Sequence, residues 1–334
     1  MSIPNWKQVL AIAVIFLIII IFMKSSTNNR MYDYGRKTIV LKNGDIEYTF
    51  DYTVIQQLNS NNQARISSAY DPDTRDVLKE SQGNRFHLVT TFVPFDHEDV
   101  SKDLLINEER EPTAVELQAR MSEVTDCLQR NLNHKYIAFV HVLVLREETI
   151  TYLRMLDLVN SDKLIIHKTK ETPTMKHEIM YASKYLLKKT VIISHQDNYL
   201  ANGWERVDFK ALRTTKLMYA LTRHYPPSKC PATLSAAHCG PENPYMGSHD
   251  TFVFYVNEAI PDHELVDIDV APNMSGIENI LMWVFRKRLG YRVINPCKIL
   301  IVYHNHCVSI REVGRERINL DKNTALAYFS AELL

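Results

Sequence analysis

The sequence predicts an α/β protein in which a doubly wound, mostly parallel sheet is flanked by helices. Between residues 86 and 194, apolar runs rich in β-branched residues alternate with helical patterns. Such runs are typical of parallel strands that are buried on both faces. Parallel strands need right-handed crossovers, and helices usually supply them. With 334 residues, 46% hydrophobic and 23% charged, the chain has the composition of a globular protein. Disordered, collagen-like and coiled-coil classes are therefore excluded.

The strands predicted from these runs are short and separated by polar segments. Two strand-like pieces, residues 38–41 and 46–52, precede the alternating region. Within that region and beyond it, we expect strands at residues 87–95, 136–145, 163–167, 191–194, 251–256, 291–294 and 298–304.

Three helices are predicted from apolar residues that recur at helical spacing. The first has a stripe formed by Leu117, Met121, Val124 and Leu128. The second is expected to be capped by Thr172, with Pro173 at its first position, and to bury Met175, Ile179, Ala182 and Leu186. For the third, Ser275 and Glu278 fit a capping box, and the helix is expected to end at Gly290.

The N-terminus carries the strongest single feature, because residues 9–23 are apolar without interruption. We interpret them as a transmembrane signal-anchor, with residues 1–8 as a short cytoplasmic tail. A cleaved signal peptide and a buried core helix are the alternatives. Residues 24–84 are polar and are interpreted as a stalk with a small N-terminal elaboration. Residues 85–334 then form the main domain.

Cysteines and a glycosylation sequon are consistent with an oxidising compartment. Cys230 with Cys239, and Cys297 with Cys307, could each close a short loop, and Asn273 begins an Asn-x-Ser sequon. Free thiols in a cytosolic protein are the alternative. The basic residues that flank the apolar segment leave its orientation open. With 39 basic and 39 acidic residues, the chain lacks the basic excess of a nucleic-acid-binding protein.

Polar residues follow two predicted strands, at the sheet edge where ligands bind in open parallel sheets. His195 and Asp197 follow the fourth strand of the alternating region, His304 ends the last predicted strand, and His306 follows it. Carboxylate and imidazole groups are ligands for divalent cations. An Asx turn for Asp197, and core histidines or a zinc site with Cys297 and Cys307, are the alternatives.

Three further residues are candidates for binding or catalysis. Arg223 could contact a diphosphate, because a guanidinium binds phosphate through two hydrogen bonds. No Gly-rich phosphate-binding pattern occurs among the nine glycines. Glu278 and Asp250 are candidate bases. Their structural alternatives are a capping-box role for Glu278 and a solvated loop position for Asp250.

Three stretches together resemble the GT-A class of nucleotide-sugar glycosyltransferases, in particular a membrane-anchored group. They are VIISHQDNYL, SGIENILMWVF and ILIVYHNHC, within about residues 86 to 310. The resemblance implies that Asp197 belongs to a metal motif in which His195 replaces the first Asp. It also implies that Glu278 opens the acceptor-side helix as the base, with Asp250 as the alternative. His304 or His306 would complete the metal coordination.

The resemblance therefore predicts a GT-A-like catalytic domain at residues 85–334. We expect it to transfer a sugar from a nucleotide-sugar donor to a glycan, protein or lipid acceptor, with Mn²⁺ or Mg²⁺ as cofactor. The nucleotide is expected near Thr90, Thr91 and Phe92. The implied location is the Golgi or endoplasmic reticulum membrane, as a single-pass type II protein. The alternatives are an inactive glycosyltransferase-like binding or assembly protein and a membrane-anchored metal-dependent hydrolase.

Overall fold

The computed structural model describes residues 38–43, 46–51, 84–93, 104–106, 111–226, 239, 249–308, 310–312 and 318. The chain divides into two compact units, Met1–Ser67 and Ser68–Leu334. The predicted tail and signal-anchor lie outside the described residues, as does most of the predicted stalk. Within the part of the chain described, no helix is both long and apolar enough to cross a membrane.

In the first unit, strands β1 (Thr38–Asn43) and β2 (Ile46–Asp51) pair antiparallel. The two strand-like pieces predicted there are confirmed. The strands described in the second unit are β3 (Phe86–Thr91), β4 (Leu104–Ile106), β5 (Ile137–Val144), β6 (Leu164–Lys168), β7 (Thr190–Ser194), β8 (Asn198–Leu200), β9 (Leu217–Thr222), β10 (His249–Tyr255), β11 (Arg292–Ile294), β12 (Val302–His304) and β13 (Ile310–Glu312).

Seven of these strands form one mixed sheet in the order β11-β9-β10-β7-β3-β5-β6. Strand β10 is antiparallel to both of its neighbours, and the other pairs in the sheet are parallel. The predicted mostly parallel α/β sheet is therefore confirmed. Strand β3 lies between β7 and β5 inside the sheet. The chain continues from β3 to β5 and β6 on one side, and β7 then joins on the other. The carboxyl ends of β3 and β7 thus flank a topological switch point, where such sheets bind ligands.

Both faces of the sheet are covered, because alternate residues along each strand enter different apolar cores. Ile192 of β7 belongs to one core, while Val191 and Ile193 belong to the other. The α-helices among the described residues are α1 (Ala114–Asn133), α2 (Glu147–Met155), α3 (Met175–Tyr185), α4 (Phe209–Thr214) and α5 (Ile277–Lys287). Helices α1, α2 and α4 contribute to the first core, and α3 and α5 to the second.

The predicted caps of α3 and α5 were wrong. Thr174, two residues after the predicted cap, begins α3, because its hydroxyl accepts a hydrogen bond from the backbone N–H of His177. Helix α5 begins after Gly276, whose φ of 93° is left-handed, and no side chain caps it. Ser275 therefore lies before the cap position, and Glu278 is not the partner in a capping box.

The predicted disulfide pairs were also wrong. Cys239 is bonded to Cys297, which joins the segment after β9 to the segment after β11. Cys307 is disulfide-bonded too, so its partner is not Cys297. Cys127 is a free thiol buried in α1. The pairing follows from the sheet, since the parallel pair β9 and β11 brings together segments that are distant in sequence.

Candidate functional site

The loop after β7 lies at the switch point and is tied to the end of β3. The side-chain oxygen of Gln196 accepts a hydrogen bond of 2.7 Å from the backbone N–H of Val93. Thr90, Thr91 and Phe92, which precede Val93, are all buried at the end of this central strand. Their predicted role in nucleotide binding stays a prediction, and the structure places them beside the loop that carries Asp197.

A short strand pair brings the C-terminal histidines to Asp197. Strand β12 pairs antiparallel with β8, which follows Asp197 directly, and the backbone N–H of Asn305 donates to the carbonyl of Asp197 at 2.8 Å. As a result, Nε2 of His304 lies 3.1 Å, and Nδ1 of His306 lies 3.5 Å, from Oδ2 of Asp197. We refer to Asp197, His304 and His306 as the Asp/His cluster.

The Asp/His cluster has the donor geometry of a cation site. One donor atom from each residue lies within 4.8 Å of the others. On the far side of its ring, Nε2 of His306 lies 3.0 Å from the carbonyl oxygen of Ile310. Because a carbonyl only accepts, Nε2 carries the hydrogen, and the neutral ring presents the lone pair of Nδ1 to Asp197. A lone pair that faces a carboxylate oxygen is stabilised by a cation between them.

Burial and charge set the protonation of the cluster. Burial by itself would raise the pKa of Asp197, but the neighbouring His304 and Arg120 outweigh burial and hold this pKa well below its usual value. Burial lowers the pKa of His304 to about 4, against the opposing effect of Asp197. Burial also lowers the pKa of His306. At neutral pH the cluster therefore offers one carboxylate and two neutral imidazoles, the protonation states that metal binding requires.

Sequence reasoning missed Arg120 and Glu123 of α1, which build one wall of this site. One terminal nitrogen of the Arg120 guanidinium donates to Oδ2 of Asp197. The other terminal nitrogen donates to Glu123 and to the carbonyl of Asn305, and both of these bonds are 2.8 Å long. Glu123 also accepts hydrogen bonds of 3.0 Å from the backbone N–H groups of Cys307 and Val308. The sequence contained a signal for Arg120, because this charged residue lies three residues after Leu117 on the otherwise apolar stripe of the helix.

Asp250 and Arg223 form a second buried pair beside the cluster. Asp250 is in β10 and not in a loop, and its exposed fraction is 1%, so the solvated alternative was wrong. Its carboxylate accepts a hydrogen bond from Arg223 at 2.8 Å. The backbone N–H of His195 donates to the carbonyl of Asp250 at 3.2 Å, which links this pair to the loop of Asp197. An ion-paired carboxylate is a weak base, so the pairing argues against Asp250 in that role.

His195 and Glu278 differ in how they relate to the cluster. Nε2 of His195 is buried and has no hydrogen-bond partner among the described residues, and its backbone carbonyl accepts from Asn198. Glu278 lies in the first turn of α5, a helix of the second core, whereas Arg120 and Glu123 belong to α1 of the first core. Glu278 therefore comes from the opposite layer of the sheet, and its catalytic role stays a prediction.

Comparisons with known proteins give distant structural matches. No protein-family model matches the chain, and no curated protein matches its sequence. HddC from Yersinia pseudotuberculosis aligns at TM-score 0.30 and 13% identity, over 52% of this chain and 77% of that one. A 4-diphosphocytidyl-2C-methyl-D-erythritol synthase aligns at TM-score 0.33 and 9% identity, over 70% and 94%. The enzyme of that name from Anaerococcus prevotii aligns at TM-score 0.32 and 11% identity, over 68% and 91%. TM-scores of this size carry no information on activity.

Proposed function

We propose that this protein is a glycosyltransferase of GT-A-like fold that uses a nucleotide-sugar donor. The observation that carries the proposal is the Asp/His cluster at the switch point of a mostly parallel sheet. Ligands of such sheets bind at this point, beyond the carboxyl ends of the strands. A buried cation site beside the ends of β3 and β7 suits a donor whose leaving group is a diphosphate.

The residues present fit a divalent transition-metal ion. One carboxylate oxygen and two imidazole nitrogens favour Mn²⁺ over Mg²⁺, because Mg²⁺ prefers oxygen ligands. When bound, such an ion supplies positive charge to a departing diphosphate. Asp197, His304 and His306 would hold it. His195 lies outside the group of donor atoms within 4.8 Å of one another, so its part in the site would be to shape the turn before Asp197.

The remaining roles follow from position in the fold. The end of β3, with Thr90, Thr91 and Phe92, would contact the nucleotide. Arg223 supports the site indirectly, because its guanidinium is bound to Asp250. Glu278 is proposed as the base that takes the proton of an acceptor hydroxyl. The assignment of Glu278 rests on the sequence resemblance, in which this residue opens the acceptor-side helix.

A lumenal orientation in the Golgi or endoplasmic reticulum, as a single-pass type II protein, is part of the proposal. The disulfide between Cys239 and Cys297 supports it, because such bonds persist in oxidising compartments. Asn273 of the sequon is exposed, as an acceptor for glycan must be. A glycosidase-sensitive mass shift that disappears in Asn273→Gln would support this orientation, and an unglycosylated domain that protease digests in sealed microsomes would overturn it.

The test of function is nucleotide-dependent stabilisation followed by turnover. We expect at least one of the diphosphates of uridine, guanosine, cytidine and adenosine to raise the melting temperature of the full-length protein, and more so with Mn²⁺. His304→Gln should abolish the Mn²⁺-dependent increment, whereas the matched variant His263→Gln should keep it, because the His263 side chain is 78% exposed.

Each outcome of this test separates the candidate functions. Transfer of sugar from the stabilising donor establishes the enzyme, and stabilisation without transfer to any acceptor or water indicates the inactive binding protein. Stabilisation by Mn²⁺ alone, with no effect of any nucleotide, indicates the metal-dependent hydrolase. The proposal is wrong if neither nucleotide nor metal changes the melting temperature.

A further inference from the structure

Arg120 and the Asp/His cluster use the same carboxylate oxygen. A guanidinium N–H of Arg120 donates to Oδ2 of Asp197, the atom that Nε2 of His304 and Nδ1 of His306 also approach. Arg120 is only 2% exposed, and Asp197 is 7% exposed. Asp197 is therefore already paired with a buried cation that belongs to the protein itself.

The guanidinium is fixed beside the cluster by two further contacts. Its second terminal nitrogen donates to Glu123 and to the carbonyl of Asn305, each at 2.8 Å. Glu123 is fixed in turn by the backbone N–H groups of Cys307 and Val308. Because these groups hold the Arg120 side chain within the protein, it cannot move into solvent when a metal ion reaches Asp197. The ion meets a carboxylate that is already paired and a positive charge close to it.

A nucleoside diphosphate brings the negative charge that the site lacks for a divalent ion. Together the ion and the diphosphate place a near-neutral or negative group next to Arg120, whereas the free ion adds two positive charges. Close like charges in a buried site are costly unless they are compensated. We infer that Arg120 makes the site select the metal–nucleoside diphosphate complex over the free metal ion. This inference rests on the proposed function, because it assumes that the Asp/His cluster binds a divalent cation.

The test measures Mn²⁺ binding directly by electron paramagnetic resonance, in which protein-bound Mn²⁺ loses the signal of the free ion. The full-length protein is titrated with Mn²⁺ alone and with Mn²⁺ plus whichever of the four nucleoside diphosphates stabilises it. Arg120→Met removes the charge at similar side-chain length, and Arg120→Gln removes it but keeps an N–H donor for the carbonyl of Asn305. Arg120→Lys keeps the charge. Arg213→Met is the matched control, since Arg213 is exposed on α4.

In the wild type we expect weak binding of Mn²⁺ alone and much tighter binding with nucleotide. Arg120→Met and Arg120→Gln should bind Mn²⁺ alone at least about tenfold more tightly, because one charged hydrogen bond no longer has to be broken. The gain from nucleotide should shrink in both variants. Arg120→Lys keeps the charge and should stay closer to the wild type than either neutral variant, and Arg213→Met should behave as the wild type.

Failure of the inference and failure of the proposed function give different results. If Mn²⁺ binds the wild type with nucleotide, but neither neutral variant binds Mn²⁺ alone more tightly, Arg120 does not set the selectivity and the inference is overturned. If no protein binds Mn²⁺ with or without nucleotide, the cation site itself is wrong and both are overturned. Melting temperatures identify a variant that has not folded. In that case the other neutral variant of Arg120 tests the inference.

Discussion

The side-chain oxygen of Gln196 accepts a hydrogen bond of 2.7 Å from the backbone N–H of Val93. This contact joins the loop after β7 to the residue just beyond β3, across the switch point of the sheet. The next residue, Asp197, forms an ion pair with Arg120, which lies on one wall of the site. The Gln196 side chain therefore fixes the distance between the strand end proposed for the nucleotide and the carboxylate proposed for the cation.

Gln196→Ala should weaken nucleotide binding because it removes this tie. We expect several-fold lower affinity for the stabilising nucleoside diphosphate and a loss of about 1 kcal/mol in the free energy of unfolding. Gln196→Glu keeps an acceptor at the same position and should bind nucleotide better than the alanine variant. Isothermal titration with nucleotide and Mn²⁺ measures the difference. Equal affinities of the alanine variant and the wild type would show that the contact does not organise the site.

The sheet was predictable because strand and helix patterns in this chain are local. The stripe of α1 and the apolar runs of β3, β5 and β7 are visible in the sequence, and each becomes the predicted element. The position of β10 was not predictable. Its antiparallel direction depends on the long connection after β9, whose course no short-range pattern specifies.

The residues of the Asp/His cluster could be predicted from the sequence, but the ion pairs that balance the charges of the site could not. Asp197 could be named because it follows a strand of the parallel sheet, whereas His304 and His306 reach it through the antiparallel pair of β8 and β12, outside that sheet. The ion pairs of Arg120 with Asp197 and of Arg223 with Asp250 depend on tertiary packing. For the same reason the disulfide partners were misassigned, since proximity in sequence does not determine proximity across parallel strands.

Asp197→Asn should remove metal-stimulated turnover and also destabilise the protein. Loss of one partner from a buried ion pair costs about 3–5 kcal/mol, and the remaining ion pair of Arg120 with Glu123 should keep the loss at the lower end of this range. The double variant Asp197→Asn with Arg120→Met should lose less stability than the sum of the two single variants. Urea unfolding of the four proteins measures this coupling. Strict additivity would mean that Arg120 and Asp197 do not stabilise each other.

Glu278→Gln should lower turnover with little effect on folding. The variant loses the favourable interaction of the carboxylate with the helix dipole, about 0.3–1 kcal/mol, and glutamine keeps a side-chain oxygen that accepts hydrogen bonds. Asp250→Asn, in contrast, breaks the buried pair with Arg223 and should lower the melting temperature clearly. Turnover and thermal unfolding are measured on both variants. Unchanged turnover in Glu278→Gln would eliminate Glu278 as the base.

Removal of the disulfide between Cys239 and Cys297 should cost about 4 kcal/mol in the free energy of unfolding. The two residues are 58 positions apart, and a cross-link that closes a loop of this length restricts the unfolded chain strongly. The double variant Cys239→Ser with Cys297→Ser, compared with the wild type in urea, measures the cost. A loss below about 1 kcal/mol would show that native contacts, and not the cross-link, hold the two segments together.

Two buried histidines should make the fold sensitive to acid. Nδ1 of His87 on β3 lies 2.9 Å from Nε2 of His141 on β5, and Nδ1 of His141 lies 3.0 Å from the hydroxyl oxygen of Tyr181 on α3. Burial, with a smaller effect of Lys189, lowers the pKa of His87 to about 3. Burial, with smaller effects of His87 and His167, lowers the pKa of His141 well below its usual value.

The direction of the pH dependence follows from the lowered pKa values of the two histidines. Below the unfolded pKa of about 6.5, the unfolded chain binds protons that the folded protein excludes, so stability is full above that pH and falls from there toward about pH 3. Each histidine contributes up to about 1.4 kcal/mol per pH unit. His141→Gln keeps a hydrogen-bonding group without a titrating ring, so its unfolding free energy should fall less steeply between pH 6.5 and 4. Urea unfolding at a series of pH values in both proteins measures the two slopes, and equal slopes would show that His141 does not cause the acid sensitivity.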